Sequence, residues 1–480
     1  MNSIEVAGDN MKETSVQQDL ASPDLDNSSF QLEDGARVAV IGGGPAGSFF
    51  AYFLHELADR FGRELEVVIY EPRNYSGVGP ASCNMCGGII SETLVQNLAA
   101  EGINLPADVV QRGVDSYMLH MDVGDTRIDT PLDEMRIGTV YRATGPRDLK
   151  ESKWRSFDGF LLGLALERGA RLVASRVESI GWEEGRPVIT AKDGTKDTFD
   201  LLVVASGVNA QSHKLFEGTP LDYEPPATTK TFIREFFLGV DTIDEHVGSS
   251  MHVFLLNLPG LEFAAIIPKG DYVSICLLGE GIDKSTLATF LESPEVRRCM
   301  PPDWEAKSIS CQCSPKMNIG AAKAPFADRV VFIGDCGVTR LYKDGIGAAY
   351  RTAKAAASTA VFQGVSKADF EKHFWPVCRS IDRDNSIGKF LFKFTEYIQK
   401  YPFARRAIRR MVAEEQKKGG SQRRMSMVLW DLFTGSATYR NILKRTLHPA
   451  FIARLAGNVA IALVSPSGGP EVKSTGETSQ

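Results

Sequence analysis

The stretch ARVAVIGGGPAG, residues 36–47, constrains the fold more than any other part of the chain. Its apolar, β-branched run breaks abruptly into glycines, and SFFAYFLHELADRFG follows with Phe50, Leu54 and Leu57 at helical spacing. That order predicts a buried strand, a tight turn and a helix. LEVVIYE supplies a second buried strand ending on Glu71, which closes a βαβ unit of ordinary size. Across the turn Gly42, Gly44 and Gly47, with Pro45 and Ala46 between the last two, make G-x-G-x-x-G. The first glycine permits the turn, the second lets a pyrophosphate approach the backbone, and the third lets helix pack on strand. An anion held there sits on the helix N-terminus. Glu71, 24 residues after Gly47, stands where a ribose hydroxyl needs an acceptor. The stretch therefore predicts dinucleotide binding, with an ordinary βα turn as the alternative.

Three later segments bear on which dinucleotide. Residues 153–180 read as a helix followed by a strand, and FDLLVVASGVNA (199–210) as a buried strand running through Ala205 to Gly207. DRVVFIGDCGVTRLYKDGIGAAYRTAKAAASTAV (328–361) gives a strand, the pair Gly334 and Asp335, a loop, and an Ala-rich helix from about Gly345, Ile346 and Gly347. This order resembles the flavoprotein hydroxylase superfamily, in which one FAD is held by the N-terminal fingerprint and a late Gly-Asp motif. The resemblance implies FAD contacts for Arg155, the Val177 backbone at the adenine, and Asp335 at the ribityl chain. A helix starting near Gly345 aims its partial positive end over the loop, where a reduced flavin carries negative charge, so FAD outranks NAD. For Asp335 the alternative is a turn or helix cap.

GPASCNMCGGIISETLV (79–95) places Cys83 and Cys86 before Gly87 and Gly88. Zinc needs more ligands, and the other close pair is Cys311 with Cys313, two apart on one face of an expected strand, where core packing is their default role. A redox Cys-x-x-Cys is a further alternative. CGGII also resembles the Cys-Gly loop of the geranylgeranyl reductases, which lies along the flavin ring. That resemblance makes Cys86 a flavin-side, catalytic residue near the proton donor, with Gly87 and Gly88 approaching the isoalloxazine; Cys83 has no counterpart. PGLEFAAIIPKGDYVSICLLG (259–279) resembles the strand pair of the same family, ending at Pro268. Phe263 and Ala265 stand where the family has Tyr and Trp in the substrate cavity, and LYKDGIG departs from its Gly-Glu-Gly-Ile.

Composition bounds the rest. The 480 residues suit two or three domains, and eight cysteines without an apolar start argue for reduced thiols and a cytoplasmic protein. The net charge of −6 hides a basic tail with 15 Lys and Arg against 4 Asp and Glu between Lys389 and Leu455. That segment predicts a helical cap, a peripheral contact with anionic membrane, or both, whereas nucleic acid is not expected. The expected organisation is α/β. A disordered leader (1–34) precedes a Rossmann-like FAD-binding domain (36–210 and 320–365) and an antiparallel substrate-binding sheet domain (211–319). A basic helical region (366–464) and a disordered tail (465–480) follow. The resemblance implies an FAD-dependent reductase of carbon–carbon double bonds in an isoprenoid or lipid-linked apolar substrate. Its rivals are a flavin monooxygenase and a prenyl-lipid carrier that has lost the flavin; Glu71, Arg155 and Asp335 speak against the carrier. No metal is expected. Without a second nucleotide fingerprint the electron donor is either NAD(P)H or a reduced partner protein.

Overall fold

The computed structural model describes residues 30–132, 137–147, 154–279, 281–302, 304, 311–418 and 423–464. The fingerprint strand Arg37–Ile41 lies in parallel register between Leu201–Val204 and Glu66–Tyr70, and every residue after Arg37 is buried. A strand covered on both faces needs a continuous apolar run, and this is the run that made it legible. The six-stranded sheet runs Phe326–Ala327, Val330–Phe332, Leu201–Val204, Arg37–Ile41, Glu66–Tyr70, Arg171–Val173, and is antiparallel only at its first edge. Helix Pro45–Asp59 starts with proline in its first turn, where a missing N–H costs nothing. It packs against helix Gly345–Phe362, whose buried Ala353, Ala356, Ala357 and Ala360 allow close approach. Phe49 and Phe53 meet the Tyr350 ring edge-on at 5.7 and 5.5 Å.

An eight-stranded sheet forms the second layer. Its order is Cys311–Cys313, Thr228–Phe237, Tyr272–Gly279, Leu261–Pro268, Ser250–Phe254, Ser116–His120, Thr126–Asp129, with Lys316–Asn318 paired to the start of Thr228–Phe237. It is antiparallel except where Ser250–Phe254 runs beside Ser116–His120. Ser116–His120 and Thr126–Asp129 come from the span 36–210, so the sheet reaches back across the expected boundary at residue 211. Alternation sorts its faces. Phe263, Ala265 and Ile267 point to one core, whereas Ala264 and Ile266 point to another, under helices Lys284–Glu292 and Pro294–Cys299.

Five helices, Trp375–Lys400, Pro402–Lys418, Arg424–Thr434, Tyr439–Thr446 and Pro449–Val464, close the first of those cores. Trp430 is fully buried, edge-on to Tyr117 at 5.2 Å, and Arg405 grips Asp122 at 2.5 and 2.7 Å. Their outer side leaves Phe390, Phe394 and Tyr397 exposed. Among the described residues no single helix is long and apolar enough to cross a membrane; Tyr439–Thr446 and Pro449–Val464 have the composition together but bend by 67°. The body begins earlier than the expected leader allows. Leu32 is 1% exposed, Phe30 sits under Arg329, and the Val365 N–H donates to the Phe30 carbonyl, so Phe30 and Leu32 pack on the body. Residues 1–29 and the tail 465–480 lie outside the described residues.

Candidate active site

A cavity of about 290 Å³ runs from the fingerprint turn to the inner face of the eight-stranded sheet. Gly44, Pro45, Ala46 and Glu71 line one end, Ala205, Gly207, Asp335, Gly345 and Ile346 its flank, and Phe263 and Ala265 the far end. Cys86, Gly87 and Gly88 line it from the loop. These residues are far apart in sequence and were expected together. The turn fits a pyrophosphate. Gly42 has φ +106°, and a Cβ there would lie 2.5 Å from the Ala205 carbonyl oxygen; a Cβ at Gly47 would lie 1.9 Å from the Gly42 oxygen. Gly44 caps the helix with no side-chain acceptor, which leaves the first N–H groups for an anion. Gly42, Gly47, Gly334 and Gly347 stand behind the wall, where they permit these approaches; a Cβ at Gly334 would lie 2.7 Å from that of Ala46.

Glu71 braces the turn as well as facing the cavity. Its carboxylate accepts from Gly43 N–H at 3.0 Å, Tyr75 O–H at 2.8 Å and Arg73 N–H at 2.9 Å. Asp335 is held in the wall, where burial pushes its carboxyl up against the opposing pull of the nearby Thr339 hydroxyl and Arg142. Arg142 lines the cavity and Arg155 does not. Arg155 pairs with Asp108 at 3.3 Å, lies over Phe160, is half exposed and does not reach the cavity. Arg142 is buried and holds Asp158 at 2.5 and 3.1 Å. Burial opposes its charge, but Asp158 outweighs that and holds its pKa above the ordinary arginine value. Asn84 bonds both Asp158 and Arg73, which ties the cysteine loop to this pair. Val177 is buried at the start of strand Val177–Glu183, which pairs with Arg186–Ala191 outside the two main sheets, and Pro268 ends its strand; neither lines the cavity.

The loop 341–344 supplies the group that sequence reading missed. Tyr342 and Asp344 take left-handed φ of 58° and 55°, a conformation costing a non-glycine residue about 1–3 kcal/mol and found where the surroundings impose it. The C-terminal helices do the imposing. Asn385 accepts from Leu341 N–H at 2.9 Å and donates to the Thr339 carbonyl at 2.8 Å, and Arg340 bonds the carbonyls of Gly435 and Ala437. Between the two strained residues Lys343 lines the cavity with Nζ 4.2 Å from the centre of the Phe263 ring. No ion pair forms with it among the described residues. Burial lowers its pKa to about 7, so it holds a proton it can release near neutrality.

The cysteines converge too. Cys86 and Cys276 line the cavity, and Cys83, Cys86, Cys311 and Cys313 line an adjoining recess of about 30 Å³. Sheet register explains the second pair, since Cys276 and Cys313 both stand opposite Ile233 on its two sides. All are free thiols. Burial pushes Cys83 up to about 11 and Cys276 up to about 12, so both are neutral and poor nucleophiles. Cys86 accepts from Gly88 N–H at 3.4 Å. Met85, between the pair, has φ 50°.

No protein-family model and no curated protein sequence matches the chain. Solved structures share its fold. The chain is similar to a flavoprotein/dehydrogenase from Cytophaga hutchinsonii, with TM-score 0.61 and 14% identity over 90% of this chain and 100% of that one. It is similar to the flavin-dependent brominase Bmp2, with TM-score 0.57 and 16% identity over 78% and 92%. The halogenase PltM in complex with phloroglucinol and FAD gives TM-score 0.56 and 12% identity over 89% and 91%. At such identities these neighbours establish the fold, which is that of flavoprotein oxidoreductases.

Proposed function

We propose that the chain is an FAD-dependent oxidoreductase that reduces a carbon–carbon double bond in an apolar, isoprenoid or lipid-linked substrate, as the geranylgeranyl reductases do. One observation carries this reading. A single cavity joins a helix N-terminus open to a pyrophosphate with an apolar sheet face, and an unpaired lysine stands at that face. FAD bound there supplies a hydride-transfer centre. The chain's own residues do the rest. Gly44 and the first N–H groups of Pro45–Asp59 hold the pyrophosphate, Glu71 keeps lone pairs for a ribose hydroxyl, and Asp335 faces the ribityl chain. Gly87 and Gly88 let the loop lie along the ring, with Arg142 as the nearby positive charge. Phe263, Ala265, Ile233, Met251 and Leu278 exclude water and bury an alkyl chain at about 25 cal/mol per Å². Lys343 Nζ holds the proton that saturation requires, and the Cys86 thiol lines the same cavity.

A monooxygenase of an apolar substrate is the second reading, supported by the halogenating neighbours. The test is turnover of a polyunsaturated isoprenoid by photoreduced enzyme under argon. Saturated product without oxygen supports reduction; product that forms only in air and carries labelled oxygen supports the rival. The exposed Phe390, Phe394 and Tyr397, beside Lys389, Lys393 and Lys400, support a peripheral seat on anionic membrane, from which such a substrate is drawn. The electron donor is NAD(P)H or a reduced partner protein.

A further inference from the structure

The face of the eight-stranded sheet turned away from the cavity carries a cluster that the proposed chemistry does not use. His120 ends strand Ser116–His120, His252 lies in Ser250–Phe254, and Cys299 ends helix Pro294–Cys299. All three are more than nine-tenths buried, and their donor atoms lie within 4.8 Å of one another. Met251, next to His252, lines the cavity, so alternation puts the histidine on the opposite face with Phe254, whose ring stacks on His120 at 4.6 Å.

Proton counting shows what the cluster lacks. His252 Nε2 lies 3.0 Å from the Val247 carbonyl, which can only accept, so Nε2 carries the hydrogen and Nδ1 is a bare lone pair. His120 Nδ1 lies 3.0 Å from the Asp125 carboxylate, off the axis of an ideal hydrogen bond. Two lone pairs at that distance would repel, so Nδ1 carries the hydrogen there too. The remaining nitrogens, His120 Nε2 and His252 Nδ1, then face each other at 2.8 Å with lone pair against lone pair. Something positive belongs between them. A second proton on His120 is one solution, but it assigns no role to the sulfur of Cys299, whose S–H among the described residues meets the Val296 carbonyl at 3.2 Å.

We propose that His120, His252 and Cys299 bind a zinc-class divalent transition metal, through Nε2, Nδ1 and Sγ respectively. Two imidazoles and a thiolate suit zinc, and three protein ligands leave a fourth position for water. Asp125 behind His120 and the Val247 carbonyl behind His252 are the outer partners that fix the tautomers of metal-bound histidines. The ion would tie helix Pro294–Cys299 to two strands of the sheet, separate from the FAD cavity.

The experiment uses the full-length protein, exchanged into zinc(II) and then freed of excess by gel filtration, with metal and flavin measured on the same sample. Wild type retains about one zinc per chain. Cys299→Ser lowers zinc affinity at least tenfold, and Asp125→Asn, which removes the charge of the outer partner along with its pair to Arg298 at 3.5 Å, lowers it about 10- to 100-fold. Flavin content stays unchanged in both, which separates this site from the cavity. If Cys299→Ser fails to fold, cobalt(II) in the wild type decides, because thiolate ligation gives an intense charge-transfer band. A wild type that holds neither metal, a cobalt complex without that band, or a Cys299→Ser with undiminished affinity overturns the proposal and leaves a shared proton in the gap.

Discussion

Lys343 and Cys86 both line the cavity, and substitution tells them apart. Lys343→Met removes the proton-bearing group but keeps the stem over Phe263, so FAD content should hold while turnover falls about 10²- to 10⁴-fold. Its pKa of about 7 fixes the sign of the pH dependence. The ammonium is present below 7 and lost above it, so wild-type turnover should fall as pH rises through about 7, and Lys343→Met should lack that limb. An unchanged profile in the mutant assigns the proton elsewhere. Cys86→Ser should keep FAD and lower turnover, whereas Cys83→Ser, in the recess behind, should do little. Equal, severe losses from both, measured by thiol-dependent turnover, would revive a redox pair. At this scale the local motif was legible and the distant partner was not. Gly42, Gly44, Gly47 and Glu71 announce themselves by spacing. Arg142 is recognised only through Asp158, and Asn84 only through a contact 74 residues away, so the family resemblance pointed to Arg155 while packing puts Arg142 on the cavity wall.

The C-terminal helices present two faces, one packed on the sheet and one exposed. Their inner face buries Trp430 and Phe433 against Tyr117, and Tyr439 bonds the Leu341 carbonyl to pin the loop of Lys343, so deleting 389–464 should give aggregated protein rather than a soluble core. Trp430→Ala should lose about 3–5 kcal/mol in urea unfolding, and a smaller loss than 1 kcal/mol would mean the helices are not part of the core. The outer face is tested without that damage. Replacing exposed Phe390, Phe394 and Tyr397 by Ser together should release the protein from anionic vesicles in a flotation assay while FAD stays bound. Retention on the vesicles by the triple variant would remove the membrane seat. Helical spacing showed that these segments are amphipathic, but it could not divide them between the protein's own sheet and a bilayer, because both solvents reward the same apolar face.

In the whole molecule the two sheets and the helical cap meet at one cavity, and each contributes what the others lack. The six-stranded sheet presents the helix N-terminus, the eight-stranded sheet the apolar wall, and the cap the strained loop with its lysine. The order strand, glycine turn, helix and late Gly-Asp made the first of these readable. The second was read with its boundary too late, because strands Ser116–His120 and Thr126–Asp129 join a sheet whose other strands lie more than a hundred residues on. The central claim is that the cavity holds FAD, and the most direct measurement is the visible spectrum of purified protein after incubation with FAD and removal of the excess. The account predicts a flavin spectrum at about one FAD per chain, strongly depleted in Gly44→Val and in Asp335→Ala. A colourless wild type that folds but retains no flavin would contradict it and favour the carrier, as would undiminished flavin in both variants for the assignment of the site.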